Sequence, residues 1–448
     1  MSSEWQSTTL GAICNAQGGA IQTGPFGSQL HTSDYKEHGV PVVMPTNIGD
    51  GGISEIGIAR VDDSDVERLS QHKLRLGDIV FSRRGDVTKN ALIQPHEVGW
   101  LCGTGCLKVR VGERRIADER FISYHLRSPG TKEWLVRHAV GATMPNLNTG
   151  ILASVPIMLP PLNAQLRIGE ILGSLDDCIA ILRETNATLE VMAQAIFKSW
   201  FVDFDPVRAK AEGRQPERMD GATAALFPDS FEDSELGDVP AGWSVFPIGE
   251  LVKCVGGATP STKNGEFWEP AEFAWTTPKD LSGLQSPILH KTEKMVSSKG
   301  VLKISSGLLP AGTLLMSSRA PIGYLAISSI DVAVNQGYIA IPPGGKLSPL
   351  YLLHWCRQNM ELIKSHANGS TFMEISKKAF RPLPALLPSV EVLAEFTKIV
   401  SPIFESIAAN DRQINLLAEI RDTLLPKLIS GEIRLPEAES IVGSAVHA

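Results

Sequence analysis

Residues 166–200 read LRIGEILGSLDDCIAILRETNATLEVMAQAIFKSW. Within them Ile168, Leu172, Leu175, Ile179, Leu182, Asn186, Leu189, Ala193, Ile196 and Trp200 recur at alternating spacings of four and three. That period holds one apolar edge against a single partner helix over many turns, which is the mark of a coiled-coil seam. A second seam lies near the C-terminus: Val392, Phe396, Ile399, Ile403, Ile407, Asn410, Ile414, Leu417, Leu424 and Leu428, with one stutter near Ile403–Ile407. Each helix is expected to run about 40 residues, roughly 60 Å at 1.5 Å per residue. A stripe of that length cannot remain in water, so the two are expected to bury each other. Asn186 and Asn410 fall on the seams, where a polar residue either fixes register or sits at a wet edge.

Working outward, the segments ahead of the two helices echo each other. Trp5-(x4)-Leu10-Gly11 recurs as Trp243-(x4)-Ile248-Gly249, and Gly77–Arg84 recurs as Gly312–Arg319. Gly141-Ala142-Thr143-Met144 returns as Gly369-Ser370-Thr371-Phe372. Val155-Pro156 with Leu159-Pro160 returns as Leu383-Pro384 with Leu387-Pro388. The offset drifts from 238 to 235 to 228, as expected when loops vary on a kept scaffold. Units this long are two similar domains, since solenoid repeats run to roughly 20–50 residues.

Short apolar runs such as Val40–Met44 and Asp78–Phe81, set between turn residues, read as mostly β structure with short helices, one over Phe121–Leu126. The chain is expected to divide into a first domain (1–160), a central helix (161–205), an acidic linker with local structure (206–242), a second domain (243–390), a C-terminal helix (391–433) and a frayed tail (434–448). The fold class is α+β: two β-rich domains in pseudo-twofold arrangement, joined by two long antiparallel coiled-coil helices.

Charge is distributed unevenly. The net charge is −7, yet Lys+Arg less Asp+Glu gives 0 for 1–160, −8 for 161–242, +5 for 243–390 and −4 for 391–448. The acidity therefore sits in helices, linker and tail, and a local basic face suited to phosphate remains possible on the second domain. The six cysteines are scattered; only Cys102 and Cys106 are close, without a companion pair at zinc spacing, so reduced structural thiols are expected. No run is apolar enough to cross a bilayer and the N-terminus has no secretory pattern, which predicts a cytoplasmic protein.

No phosphate loop, His-Glu-x2-His helix, nucleophile elbow or dinucleotide fingerprint is found in either copy, so recognition is expected in place of catalysis. The candidates are polar segments at matching places. Gly24–Gln29, with Ser28, and Gly256–Asn264, with Thr259, Ser261, Thr262 and Lys263, could bring backbone N–H groups and polar side chains to phosphates, or form ordinary hairpin loops. Ser82-Arg83-Arg84 and Ser317-Ser318-Arg319 follow apolar strands, where an arginine can read guanine, clamp phosphate or form a surface ion pair. Lys89-Asn90 and Asn335-Gln336 come shortly after them, and Lys279 adds a cation to the basic domain. Thr143, Asn146, Ser370, Thr371 and Lys377 make a third polar cluster, some of which would also serve as helix caps. The aromatic helix end, with Phe197, Trp200, Phe201 and Phe204, and its counterpart with Leu425 and Leu428 are candidates for a partner-protein surface; packing against a β domain is the alternative.

Taken in order and twice over, these segments resemble the specificity subunit of type I restriction–modification systems. The motifs that carry the resemblance are Thr23–Ser28, Ala195–Phe204, Gly257–Ser261, Ser317–Gly323, Gly369–Ser376 and Leu424–Ile433. The resemblance implies two target-recognition domains that each read half of a bipartite site on double-stranded DNA, with the helices as a ruler between them. It also implies a chain without catalytic residues, metal or cofactor of its own. Its partners would be two methyltransferase subunits using S-adenosylmethionine and ATP- and Mg-dependent restriction/translocase subunits. Ser82-Arg83-Arg84-Gly85-Asp86 departs from Ser317-Ser318-Arg319-Ala320-Pro321, which puts the equivalence of individual contacts in question. A coiled-coil scaffold without a DNA role, or a self-sufficient restriction or modification enzyme, are the other readings of the same residues.

Overall fold

A computed structural model describes residues 5–27, 29–141, 143–369 and 373–446. The chain divides into two compact units, one of residues 1–180 with 414–448, the other of residues 181–413. The two long helices, Leu162–Phe201 and Val390–Ser430, each contribute a part to both units. In the second unit Phe197 lies 6.0 Å from Phe396 while Asn186 bonds Asp411, so the helices run antiparallel there. In the first, Asp176 bonds Arg421 at 2.7 Å.

The seam of the central helix is buried at Ile168, Leu172, Leu175, Ile179, Asn186, Ala193 and Trp200, and half-buried at Leu182, Leu189 and Ile196. Asn186 and Asn410 meet, the Asn410 amide donating to Asn186 Oδ1 at 2.8 Å. The second seam departs from the spacing read in the sequence. Val400 and Phe404 are buried where Ile399 and Ile403 were expected, and Asp411 is more deeply buried than Asn410. Here the helix packs against the helix Pro349–Gln358 as well as its coiled-coil partner: His354 stacks edge-on to Phe404 at 5.9 Å and Tyr351 to Phe396 at 6.3 Å. Two neighbours demand a wider apolar face than one, so the buried stripe broadens into four-residue steps.

The β domain of the first unit has a five-stranded sheet, in spatial order Gly18–Thr23, Cys106–Gly112, Asp78–Ser82, Asn90–Leu92 and Asp50–Gly51. A three-stranded sheet (Ala59–Val61, Val40–Val43, Leu101–Cys102) lies within the same domain. Gln6–Thr9 pairs with Pro156–Leu159, so the domain's first and last strands meet at its junction with the central helix. In the second unit the order is Ile288–Leu289, Ile322–Ser328, Leu314–Ser318 and Tyr338–Ile341, beside Lys294–Val296, Phe273–Thr276 and Val332–Val334, and Ser244–Pro247 pairs with Pro384–Leu387. The expected short helix forms over Glu119–Arg127.

Residues 206–242 carry more order than a linker needs: helices Asp205–Ala211 and Gly221–Ala225 and a hairpin of Phe231–Ser234 with Gly237–Pro240. Phe227 in this stretch packs edge-on to Trp200 at 5.0 Å. The tail is not frayed where it is described. Leu435–Val446 is a helix that buries Ala438 and Val442 and pairs Glu439 with Arg167. All six cysteines are free; burial pushes Cys102 up to about 12 and Cys106 well above its usual value. No helix among the described residues is long and apolar enough to cross a membrane.

Two buried histidines make the fold sensitive to acid. Burial lowers His125 to about 4 and, with the charge of Arg357 adding to it, His354 to about 3. Both rings are neutral in the folded chain, and neither ring nitrogen of His354 has a partner among the described residues. The unfolded chain takes up these protons first, near 6.5, so the stability they contribute is whole above that pH and declines as pH falls toward the folded values. His354→Leu is expected to recover on the order of 2 kcal/mol of the stability lost between about pH 7.5 and pH 4.5. Urea titrations of both chains at the two pH values measure it.

Candidate nucleic-acid interface

Strand register gathers three loops at one end of the first domain's sheet. Thr23 pairs with Leu107 and Ser82 with Cys106, so the loops that follow Thr23, precede Cys106 and follow Ser82 emerge side by side. Gly24 N donates to Cys106 O and Arg83 N to Gly105 O, both at 2.9 Å. A fourth segment joins them: Val140 and Asn146 exchange backbone bonds, and Leu147 N donates to Arg83 O at 2.9 Å. Arg83 is thus a fastener, its Nε reaching Asn146 Oδ1 and Leu147 O. Arg84 and Lys89 are exposed, and Arg84 has no ion pair among the described residues.

The second domain repeats the bonds of the Arg83 strand end and of the Val140–Leu147 segment. Ser318 N donates to Gly337 O at 2.8 Å, as Arg83 does to Gly105. Ile375 N donates to Ser318 O at 3.0 Å, as Leu147 does to Arg83, and Asn368 exchanges bonds with Glu374, as Val140 does with Asn146. Arg84 bridges to Asn146 and Arg319 to Glu374 in the same way. The equivalence that the differing motifs put in question is therefore clear in the backbone: Ser82 matches Ser317, Arg83 matches Ser318 and Arg84 matches Arg319. Val255 pairs with Ala340 and Ala258 N donates to Val334 O at 3.1 Å, bringing the Gly256–Asn264 loop alongside. Thr259 Oγ1 bonds Gln336 Oε1 at 2.7 Å, while Lys279, Arg319, Asn335 and Tyr324 line one cleft. Lys377 Nζ lies beside Gly256, and Ser261, Thr262 and Lys263 are exposed at the loop tip.

Several sequence-based candidates are corrected by burial. Ser82 is buried and its hydroxyl donates to Arg84 O at 2.9 Å. Ser317 is buried, donating to Pro321 O and accepting from Tyr324 N, both at 2.8 Å. Ser318 and Asn90 are buried as well. These side chains shape the loops from within; an outside ligand cannot touch them without unpacking the strand ends. The partner surface is overturned more fully. Phe197, Trp200 and Phe201 form an aromatic cluster with Tyr351 and Phe396 at ring separations of 5.0–6.2 Å, so they are core of the second unit. Leu425 and Leu428 are buried too, and Phe204 is half-buried against Phe231 and Trp243. Thr143 is exposed and Asn146 half-buried on the first edge, and Ser28, Ser370 and Thr371 lie outside the described residues.

Other residues also stand on these edges. Phe26 is 58% exposed in the loop after Thr23. Thr104, between Gly103 and Gly105, has a buried hydroxyl without a partner among the described residues. It occupies the loop that Asn335–Gly337 forms in the other domain, a match visible only in strand register. Lys364 borders the far side of Arg319. Burial works to raise the pKa of Asp86 on the first edge, but bonds from Thr88 and the charges of Lys89 and Lys132 hold its carboxyl below the usual range. The first edge thus carries a fixed anion among its cations, while Arg319 in the second faces Glu374 at 3.6 Å.

The family model "Type I restriction modification DNA specificity domain" matches residues 2–191 and again 240–419. The chain belongs to that family. It is 27% identical over 419 residues to the type I restriction enzyme HindI specificity subunit of Haemophilus influenzae, covering 82% of this chain and 89% of that one. It is 33% identical over 191 residues to the MjaIX specificity subunit of Methanocaldococcus jannaschii, covering 42% and 44%. The crystal structure of the type I restriction–modification S subunit from M. genitalium shares the fold, with a TM-score of 0.53 at 17% identity over 95% of this chain and 96% of that one.

Close approach holds Gly24 and Gly257 to glycine. A Cβ on Gly24 would sit 2.0 Å from Gly103 O, and one on Gly257 1.6 Å from Val334 O. Gly24→Ala and Gly257→Ala are each expected to push a loop off its strand and cost about 1–3 kcal/mol in denaturant titration. Gly27→Ala, with nothing within 4 Å of the new Cβ, is expected to change little.

Proposed function

We propose that this chain is the sequence-reading specificity subunit of a type I restriction–modification complex, binding an asymmetric, bipartite site on double-stranded DNA. The observation that carries the reading is the duplicated loop edge: corresponding backbone bonds hold the strand end of Arg84 in one domain and of Arg319 in the other, while the side chains around them differ. Arg84 and Arg319 take equivalent positions, but one has Asp86, Lys89 and Phe26 in its domain's loops and the other Lys279, Asn335 and Glu374 close by. Unlike side chains on a like frame read unlike half-sites. Guanidinium groups reach guanine O6 and N7 in pairs, and Lys89, Lys263 and Lys377 suit phosphates. Helices of about 60 Å cover roughly 18 base pairs, which places both half-sites within about two turns of duplex.

In this reading the chain supplies recognition and its partners supply chemistry: two methyltransferase subunits, and restriction/translocase subunits that act in the cytoplasm. The specificity-subunit names of the relatives support that assignment. Mapping methylated adenines in a host that carries the methyltransferase partner, with and without this chain, tests it. A bipartite motif that appears only with the chain is expected; no chain-dependent motif, or methylation by the purified chain alone, would overturn the reading.

Arg84→Ala and Arg319→Ala in the assembled complex are each expected to weaken binding by about 1–3 kcal/mol and to relax one half-site only. Lys263→Ala is expected to weaken all sites alike and to lower the salt dependence by about one counterion. Binding titrations over several salt concentrations on sites altered in one half distinguish the two effects.

A further inference from the structure

Two carboxylates, Asp176 half-buried and Asp411 buried, sit at three-way joints, one in each unit. Asp176, on the central helix, accepts from Arg421 of the C-terminal helix at 2.7 Å, and from Tyr124 Oη at 2.7 Å and Arg127 Nη2 at 3.1 Å in the recognition domain. Burial works to raise its pKa, and Arg127 and Arg421 more than offset that, holding the carboxyl below its ordinary range. Asp411, on the C-terminal helix and only 7% exposed, accepts from Asn186 Nδ2 of the central helix at 2.9 Å. From the recognition domain it meets His290 Nε2 at 3.2 Å and the Ser286 hydroxyl. Ser329 Oγ holds the other ring nitrogen of His290 at 3.0 Å.

Both joints lead into the sheets that carry the DNA-facing loops. Arg127 Nη1 donates to Asp50 O, on the edge strand Asp50–Gly51 of the five-stranded sheet. Gly51 has φ +102, and a Cβ there would lie 1.7 Å from Arg127 Nη1, so the strand leaves room for this guanidinium. Ser286 and His290 flank Ile288–Leu289, the edge strand that reaches Leu314–Ser318 through Ile322–Ser328. An apolar seam is tolerant of small rotations and slides, whereas a carboxylate with several directed donors admits one arrangement. Removing the domain-side donors from such a joint leaves the seam intact and loosens its angular restraint.

We propose that Asp176 and Asp411 are positioning residues that set the angle of each recognition domain on the helices, and through it the gap accepted between half-sites. This rests on the bipartite reading above. The domain-side donors can be removed while the helix-to-helix bonds Asp176–Arg421 and Asp411–Asn186 stay. The paired change Tyr124→Phe with Arg127→Leu tests the first joint, and the double change Ser286→Ala with His290→Ala tests the second. Each is assembled with the methyltransferase subunits and offered a library in which the two half-sites are fixed and the gap varies, read by methylation sequencing.

Wild-type complex is expected to modify one gap length. Each variant is expected to raise modification of gaps about one base pair longer or shorter, roughly a tenth of a turn of duplex, by about tenfold, with both half-sites unchanged. A merely structural role lowers modification of every gap in proportion and opens no new one; that result in both variants overturns the proposal. Asp411→Asn, which keeps the side chain's shape, replaces the double change if that chain does not assemble. A wild-type complex with no preferred gap would instead overturn the bipartite reading.

Discussion

Everything in this chain depends on burying two apolar seams that neither helix can satisfy alone. A helix of 40 residues with a stripe along its length loses far more by exposure than it gains from backbone bonding. Because the second seam lies more than two hundred residues downstream, closing the pair ties each recognition domain to a distant part of the chain. Phe396 meets Phe197, Asp411 meets Asn186 and Arg421 meets Asp176. Each β-rich domain is consequently packed on parts of both helices: one unit joins residues 1–180 to 414–448, and the other is the continuous stretch 181–413.

On that frame the two domains separate what must be kept from what can vary. The bonds that hold the loop edge are backbone bonds: Arg83 N to Gly105 O in one domain, Ser318 N to Gly337 O in the other. Backbone bonds are indifferent to side chains, so one position can be Arg83 or Ser318 without altering the edge. Exposed groups such as Arg84, Lys89 and Lys263 can then change without disturbing the fold. The buried serines Ser82 and Ser317 belong to the kept part, since their hydroxyls close the turn on which the arginine stands.

Legibility from the sequence followed the range of the interactions involved. The central seam, the two domains and the helix at Glu119–Arg127 are local patterns, and all are found in the structure. The second seam departs from its sequence spacing between Phe396 and Asp411, because its width there depends on a helix some fifty residues away. The aromatic run from Phe197 to Phe204 looks the same in sequence whether it faces a partner or a core. Tyr351 and Phe396 decide that it is core. The stretch Leu435–Val446 is weakly patterned and reads as a tail in the sequence; packing of Ala438 and Val442 orders it as a helix.

By itself, the sequence determined the duplication, the two seams and hence the α+β plan, because periodicity and repeated spacing are properties of the chain read in order. It also marked the strand ends that carry Arg84 and Arg319. Only the tertiary structure decided which polar residues face outward and which are fasteners, because that depends on register between strands far apart in sequence. Ser82, Ser317, Ser318 and Asn90 are buried where Arg84 and Lys263 are exposed. The joints at Asp176 and Asp411 were equally hidden: each is assembled from three separate stretches of chain, and no spacing in the sequence records such a meeting.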